Sequence, residues 1–400
     1  MAKKEDIKKP LKKGQSQFVL IGEAKVNDFT YKMNETSQKS DWVWNQLNLG
    51  VDCGDGNVIY SELMGGYGAE RDNVLYVHGN KENENKKTVD DFDNQFTIAW
   101  EDRFDEDILA TIGEQCFITI GLEKDKKGVV FSKKFLSAYD AIEYIQEHLE
   151  SEMVLNVKGG FKYSMYNDST SMKKEIKSIF LSKKESKDFK AVFTQTVLID
   201  KDSVGKLDKE KAVYPISVRI VDYIKEYNGK LVKQNITYGK TFELEVDKEH
   251  PEKTKKFIEK VLRVKKDITE ITLEGDIVEG QTLVNITEAD LPDDIKDLID
   301  CGAYSMEDAI NKLAVGGSKE KRMIIRRPAI KMVGENEEDK KPLILKTESK
   351  YKDEDLVFDF MFEEEEDTND DIPFETDDSE NNEQEDEDST PDWMKALDEE

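Results

Sequence analysis

The 400 residues include 88 Asp or Glu against 59 Lys or Arg, for a formal net charge of -29, and 37% are hydrophobic. That apolar content suffices for one large core or two modest ones, while the charge taken whole excludes a partner held by phosphate neutralisation. The charge is lodged at one end, however: residues 353–400 carry 24 acidic side chains and only Lys395, which leaves -6 for residues 1–352. Cys53, Cys116 and Cys301 are isolated and odd in number, which excludes a disulfide framework or a zinc knuckle, and no apolar run reaches membrane-spanning length. The lysine-rich start has no apolar segment behind it, so it does not read as a leader, and a soluble cytoplasmic protein is expected.

Residues 1–16 read as a basic flexible arm, with Lys3, Lys4, Lys8, Lys9, Lys12 and Lys13. From Phe18 onward, short aromatic and β-branched runs separated by Gly, Asp and Asn predict strands at 18–29, 42–51, 57–63, 74–78, 96–100 and 116–122. At Ala138 the period changes, with Ala138, Ala141, Ile142, Ile145 and Leu149 on one helical face, before 154–166 returns to strand character. The order then repeats: strands at 192–199, 216–227 and 241–246, a helix at 251–264 and a strand pair at 271–286. The halves are in closest step after their helices, where Leu155–Gly159 and Ile271–Gly275 are both alternating strands ending in glycine. A further helix is predicted at 306–314, with Ser305 as N-cap and Asp308 at the capping-box position.

Read as a duplication, this rhythm predicts two domains, 17–188 and 189–352. The first would carry insertions, because residues 64–115 hold more strand signals than a five-stranded barrel needs. Strands interrupted by one helix are the order of the oligonucleotide/oligosaccharide-binding (OB) fold, a Greek-key barrel, and other small barrels share that rhythm. The expected fold is mainly β with a few helices: tandem OB-like five-stranded barrels and a disordered acidic C-terminal tail over 353–400.

The motifs of catalysis are missing from the sequence. It has no phosphate loop, no Gly-x-Ser-x-Gly elbow and no His-Glu-x-x-His helix, and His78, His148 and His250 show no ligand spacing. No enzymatic activity, cofactor or metal is expected. Single-strand binding needs aromatic faces for bases beside cations for phosphates. Trp42 and Trp44, two apart on one strand face, with Tyr31, Lys32 and Lys39 upstream, are one candidate platform. Phe161 and Tyr163 beside Lys158 and Lys162 are a second, and Tyr223 with Arg219 and Lys225 is a third. Gly65-Gly66-Tyr67-Gly68 reads as a loop whose glycines permit close approach of a ligand, with Tyr67 offering a ring, or equally as a tight turn in which Tyr67 covers its own sheet. Lys319–Arg327 is a locally basic stretch suited to phosphate or to the acidic tail.

The tail interrupts its charge with apolar anchors: Asp370-Asp371-Ile372-Pro373-Phe374, and a last segment holding Trp393, Met394 and Leu397. An aromatic anchor flanked by carboxylates suits a hydrophobic pocket rimmed by Lys or Arg on a partner. The Asp-Asp-Ile-Pro-Phe motif in an acidic tail resembles the C-terminal tail of bacterial single-stranded DNA-binding proteins, although here twenty-six residues follow the motif. The resemblance implies a protein of phage or mobile-element type, acting in the host cytoplasm. It would bind and protect single-stranded DNA in replication, recombination or repair and recruit partner proteins through the tail, with its oligomeric state open. A β-rich structural or virion-type assembly protein with a DNA-mimicking tail is the alternative.

Overall fold

The computed structural model describes residues 8–166, 169–227, 229–281, 296, 299, 319–334 and 340–358. The helix expected at 306–314 and the anchors Asp370, Asp371, Ile372, Pro373, Phe374, Trp393, Met394 and Leu397 lie outside the described residues. The first half supplies strands β1 (Ser16–Lys25), β2 (Tyr31–Thr36), β3 (Trp42–Asp52), β4 (Val58–Gly68), β5 (Val74–Glu82), β6 (Thr88–Ala99), β7 (Ile118–Lys124), β8 (Val130–Phe135), β9 (Val154–Tyr166) and β10 (Ser169–Leu181), with helices α1 (Glu106–Leu109) and α2 (Ala138–His148). The second supplies β11 (Lys190–Ile199), β12 (Val213–Tyr227), β13 (Lys230–Glu245), β14 (Ile268–Gln281), β15 (Lys319–Pro328), β16 (Ile330–Val333), β17 (Lys341–Ile344) and β18 (Lys346–Tyr351), with α3 (Pro251–Phe257). No helix among the described residues is long and apolar enough to cross a membrane.

The strand pairings close on themselves twice. β1 pairs with β3, β3 with β4, β4 in parallel with β10, β10 with β9, and β9 again with β1. In the second half β11 pairs with β12, β12 with β13, β13 in parallel with β15, β15 with β14, and β14 again with β11. Each ring has one parallel pair, between its third and fifth strands, and each has its helix, α2 or α3, between the third strand and the fourth. Alternation fills the interiors: Leu47, Leu49, Val51, Leu155 and Val157 are buried in the first ring, and Ile216, Val218, Ile220, Ile236 and Phe242 in the second. Each such side chain stabilises the fold by about 1.5–3 kcal/mol relative to exposure.

The rings meet through their own first strands. β1 and β11 pair antiparallel from Ser16↔Gln195 to Ile21↔Lys190, which sets Phe18 opposite Phe193. On the far edge of each strand the phenylalanine faces a glycine, Phe18 opposite Gly159 and Phe193 opposite Gly275. A Cβ on Gly159 would lie 2.0 Å from the Glu175 carbonyl and 2.5 Å from the Phe18 ring; on Gly275 it would lie 1.9 Å from the Ile324 carbonyl and 2.8 Å from the Phe193 ring. These are the two glycines that end the matched strands in the sequence.

Further bonds tie the rings. Asn57, in the turn before β4, bonds the β14 backbone at Ile277 and Glu279, and Lys174 of β10 reaches Glu279 at 2.8 Å with both side chains nearly buried. Asp222 of β12, also buried, accepts from Lys13 Nζ at 2.6 Å and from the backbone N–H groups of Tyr163 and Tyr223. The arm expected to be flexible is therefore seated from residue 8 on: Lys9 N–H donates to Asp355 and Lys9 Nζ to the Lys350 carbonyl. The described residues up to Val357 cluster as one compact unit, including the 3-10 turn Asp353–Leu356.

Several elements differ from expectation. Gly65–Gly68 is not a loop but the end of β4, paired with Trp42–Asn45, and its glycines relieve crowding: a Cβ on Gly65 would meet Ala138 at 2.7 Å, so glycine lets the start of α2 lie on the strand. The strand pair expected over 271–286 is one strand as far as Gln281. β2, β8, β10 and β15 to β18 were not predicted. Between β4 and α2 the chain inserts a lobe, the ribbon β5–β6 with α1, whose own small core is Val77, Ile98, Ile112 and Phe117.

Candidate nucleic-acid interface

Residues directly opposite in an antiparallel pair point to one side of the sheet. The register of β3 with β4 therefore sets Trp42, Trp44, Gln46 and Asn48 beside Gly68, Gly66, Met64 and Glu62. This is the outer side of the first ring, because the alternate Leu47, Leu49 and Val51 are buried. Trp42 and Trp44 are half-buried, and each has a glycine as its cross-strand neighbour, so no side chain stands against it from that strand. Tyr60 and Met64, 46% and 49% exposed, continue this face along β4. Lys32 of β2 is exposed beside Gln46, and Lys39 is exposed in the turn entering β3.

On the same outer side of the ring, Lys162 of β9 and Lys173 of β10 stand opposite each other, both exposed, and Lys158 shares their face. Lys173 holds Glu62 at 3.0 Å, an exposed pair that a phosphate can replace at little cost. The arrangement offers flat apolar surface at one end and three lysines at the other.

Four rings expected on a platform are placed differently. The alternation that turns Lys158 and Lys162 outward turns Phe161 and Tyr163 inward, where both are 2% exposed. Phe161 packs on Phe18 at 5.6 Å and Tyr163 on Tyr238 at 6.0 Å, and the Tyr163 hydroxyl donates to Gln195. Neither presents a face to a base. Burial, then the charge of Asp222, pushes the Tyr163 hydroxyl far above the usual phenol range. Tyr67 points away from the tryptophan face and packs between Trp100 at 5.4 Å and Tyr139 at 5.3 Å, beside Arg103, which stacks on Trp100 and pairs with Asp140 at 2.8 Å. Tyr31 is largely enclosed, its pKa pushed up to about 12 by burial, with no hydrogen-bond partner for its hydroxyl among the described residues.

The outer face of the second ring borders a groove of about 790 Å3 lined by Met165, Thr170, Asp200, Ser217, Arg219 and Lys240. Arg219, opposite Gly239, pairs with Asp200 at 3.1 Å. Tyr223, 51% exposed, and Lys225 continue that side of β12. Lys240 was not singled out in the sequence. Its ammonium donates to the Thr170 carbonyl at 2.9 Å, and burial, then neighbouring Lys321, lowers its pKa. A cation penalised in this way gains from a nearby anion. The basic stretch at 319–327 behaves differently from expectation: it forms β15, and Arg322, Arg326 and Arg327 pair with Glu243, Glu245, Asp276 and Glu274 of neighbouring strands.

The sequence reading missed Tyr60, Lys173 and Lys240. Tyr60 carries a weak signal, its alternation with Met64; Lys173 and Lys240 carry none, since their roles depend on pairings between distant strands.

No protein-family model matches the chain, and no curated protein does. Among solved structures it is similar to the single-stranded DNA binding protein from Thermus aquaticus. The wild-type structure gives 10% identity and a TM-score of 0.28 over 67% of this chain and 87% of that one, and a deletion mutant gives 10% and 0.27 over 67% and 88%. Superposition this loose assigns no family.

Proposed function

We propose that this chain binds single-stranded DNA stoichiometrically, through two OB-type barrels corresponding to the two rings of strand pairing. The observation that carries the reading is the pairing order. In each ring the chain runs first, second, third, fifth, fourth and back to first, with the third and fifth strands parallel and a helix before the fourth. That order agrees with an OB barrel, whose second and third strands form an oligonucleotide-binding face, and it supports the reading. On that face the first ring carries Trp42, Trp44 and Tyr60, and the second carries Arg219 and Tyr223. Aromatic faces for bases beside lysines for phosphates are what sequence-tolerant binding requires.

In this reading the protein sequesters and protects the exposed strand during replication or recombination, in the host cytoplasm of a phage or mobile element. The acidic tail recruits partner proteins through Asp370–Phe374 and Trp393–Leu397 and competes with DNA for the lysines. Ultraviolet cross-linking of a bromodeoxyuridine oligonucleotide, with the linked peptides mapped by mass spectrometry, tests the placement. Adducts within 42–48, 58–64 and 217–225 are expected. Adducts confined to the β5–β6 lobe would reject this placement, and the absence of any adduct would favour the assembly protein.

A further inference from the structure

The groove beside Lys240 draws its lining from both rings. Met165 and Thr170, opposite each other in the β9–β10 hairpin, come from the first, and Ser217, Arg219 and Lys240 from the second. The hairpin is fixed on the second ring: Tyr163 packs on Tyr238, and its backbone N–H donates to the buried Asp222. Lys240 Nζ spans the seam to the Thr170 carbonyl at 2.9 Å.

A second cation stands beside Lys240. β13 and β15 run parallel with Glu243 beside Ile324, and three residues earlier on each strand Lys240 is level with Lys321. The charge of the exposed Lys321 adds to burial in lowering the Lys240 pKa. In a chain with 88 Asp or Glu, neither ammonium has a carboxylate partner among the described residues. Glu279, opposite Lys321 in the β14–β15 register, is paired with Lys174 at 2.8 Å. The acids in the lining share one turn and are placed otherwise. Asp200 accepts from Asp202 N–H and the Ser203 hydroxyl and pairs with Arg219 at 3.1 Å, while Asp202 is exposed. Two neighbouring ammoniums repel, and an anion between them converts that repulsion into attraction.

We propose that Lys240, reinforced by Lys321, holds a backbone phosphate of the single strand where it crosses from one ring to the other, so that both rings grip one continuous strand. The assignment rests on single-strand binding itself. An ammonium is a compact point charge with rotatable donors, which suits the single charge of a phosphodiester. The groove, at about 790 Å3, is far larger than a lone phosphate, and it passes Arg219, which alternation sets on the same side of β12 as Tyr223.

The test measures fluorescence anisotropy of labelled dT oligonucleotides with the full chain, one of about 30 nucleotides to cover two barrels and one of about 10 to cover a single barrel. The double variant Lys240→Gln/Lys321→Gln is expected to bind the longer one about tenfold more weakly at low salt, with a salt dependence shallower by about one phosphate, and the shorter one within about twofold of wild type. Should circular dichroism show that variant unfolded, Lys321→Gln alone, an exposed change, is expected to give about a threefold loss with the same dependence on length. Inorganic phosphate, compared with chloride at equal ionic strength, should not displace the longer oligonucleotide. Displacement by phosphate would make this a free-anion site and overturn the proposal, as would wild-type affinity in the folded variant or an equal loss at both lengths. A wild-type protein that binds neither oligonucleotide rejects single-strand binding and this site with it, whereas wild-type binding that the variants leave unchanged rejects this site alone.

Discussion

Gly159 and Gly275 do the same work in the two rings, each passing beneath a phenylalanine of its ring's first strand where a methyl group would strike a backbone carbonyl. Gly159→Ala and Gly275→Ala are each expected to cost about 2 kcal/mol, from overpacking that backbone cannot relieve. Urea unfolding measures this, and a loss at one site only would contradict the equivalence of the rings. The tryptophan face makes a different prediction. Trp44→Ala should weaken single-strand binding by about 1–3 kcal/mol with little change in unfolding midpoint, whereas Tyr67→Ala, which empties the space between Trp100 and Tyr139, should lower the midpoint and leave affinity nearly intact. Oligonucleotide titration beside thermal melts separates the two. The Trp42/Trp44 pair was legible because spacing two on a strand fixes a common face. Phe161 and Tyr163 have the same spacing and lie inside, because sequence alone does not say which face of β9 meets β12.

Elements were readable where their pattern was clean. The helix expected from Ala138 forms over Ala138–His148, with the Ser137 hydroxyl accepting from Tyr139 N–H, and the strand at 154–166 has the expected limits. β10 was hidden because a lysine occupies one of its inward positions: Lys174, between Met172 and Ile176, is buried and satisfied by Glu279 of the other ring. Alternation breaks at the residue whose partner lies 105 positions away. Lys174→Ala leaves Glu279 uncompensated and is expected to cost about 3 kcal/mol, while Lys174→Met with Glu279→Leu should restore most of it. Denaturant unfolding of the three proteins checks this, and a single mutant as stable as wild type would contradict it. The glycine run at 65–68 was misread for the converse reason, because glycines that admit a helix look the same in sequence as glycines that make a turn.

At the scale of the molecule, burial of phenols sets an alkaline limit on stability. Tyr31, Tyr139 and Tyr238 are pushed up to about 12, chiefly by burial, from an ordinary value of 10.0. Between those values the unfolded chain has released protons that the fold retains, so stability is intact below about pH 10 and falls as pH rises toward 12. Urea midpoints at pH 8 and pH 11, with tyrosinate absorbance followed in parallel, check this; equal midpoints would contradict it. The acidic end adds a prediction that depends on where it is cut. Asp355 and Val357 bind Lys9 and Lys8, so truncation after Lys352 should loosen the seated arm. Truncation after Phe358 should spare it and raise single-strand affinity, most at low salt, where competition from the carboxylates is least screened. Affinities at two salt concentrations decide this.

The decisive titration adds the protein to a dT oligonucleotide and to its duplex counterpart, following tryptophan emission at low and moderate salt. Two rings with outer aromatic faces predict strong preference for the single strand, with quenching that is reduced in Trp44→Ala and lost when Trp42→Ala is added, because Trp100 is packed against Tyr67 and Arg103. Equal weak binding to both, or quenching unchanged in Trp44→Ala, would contradict the account.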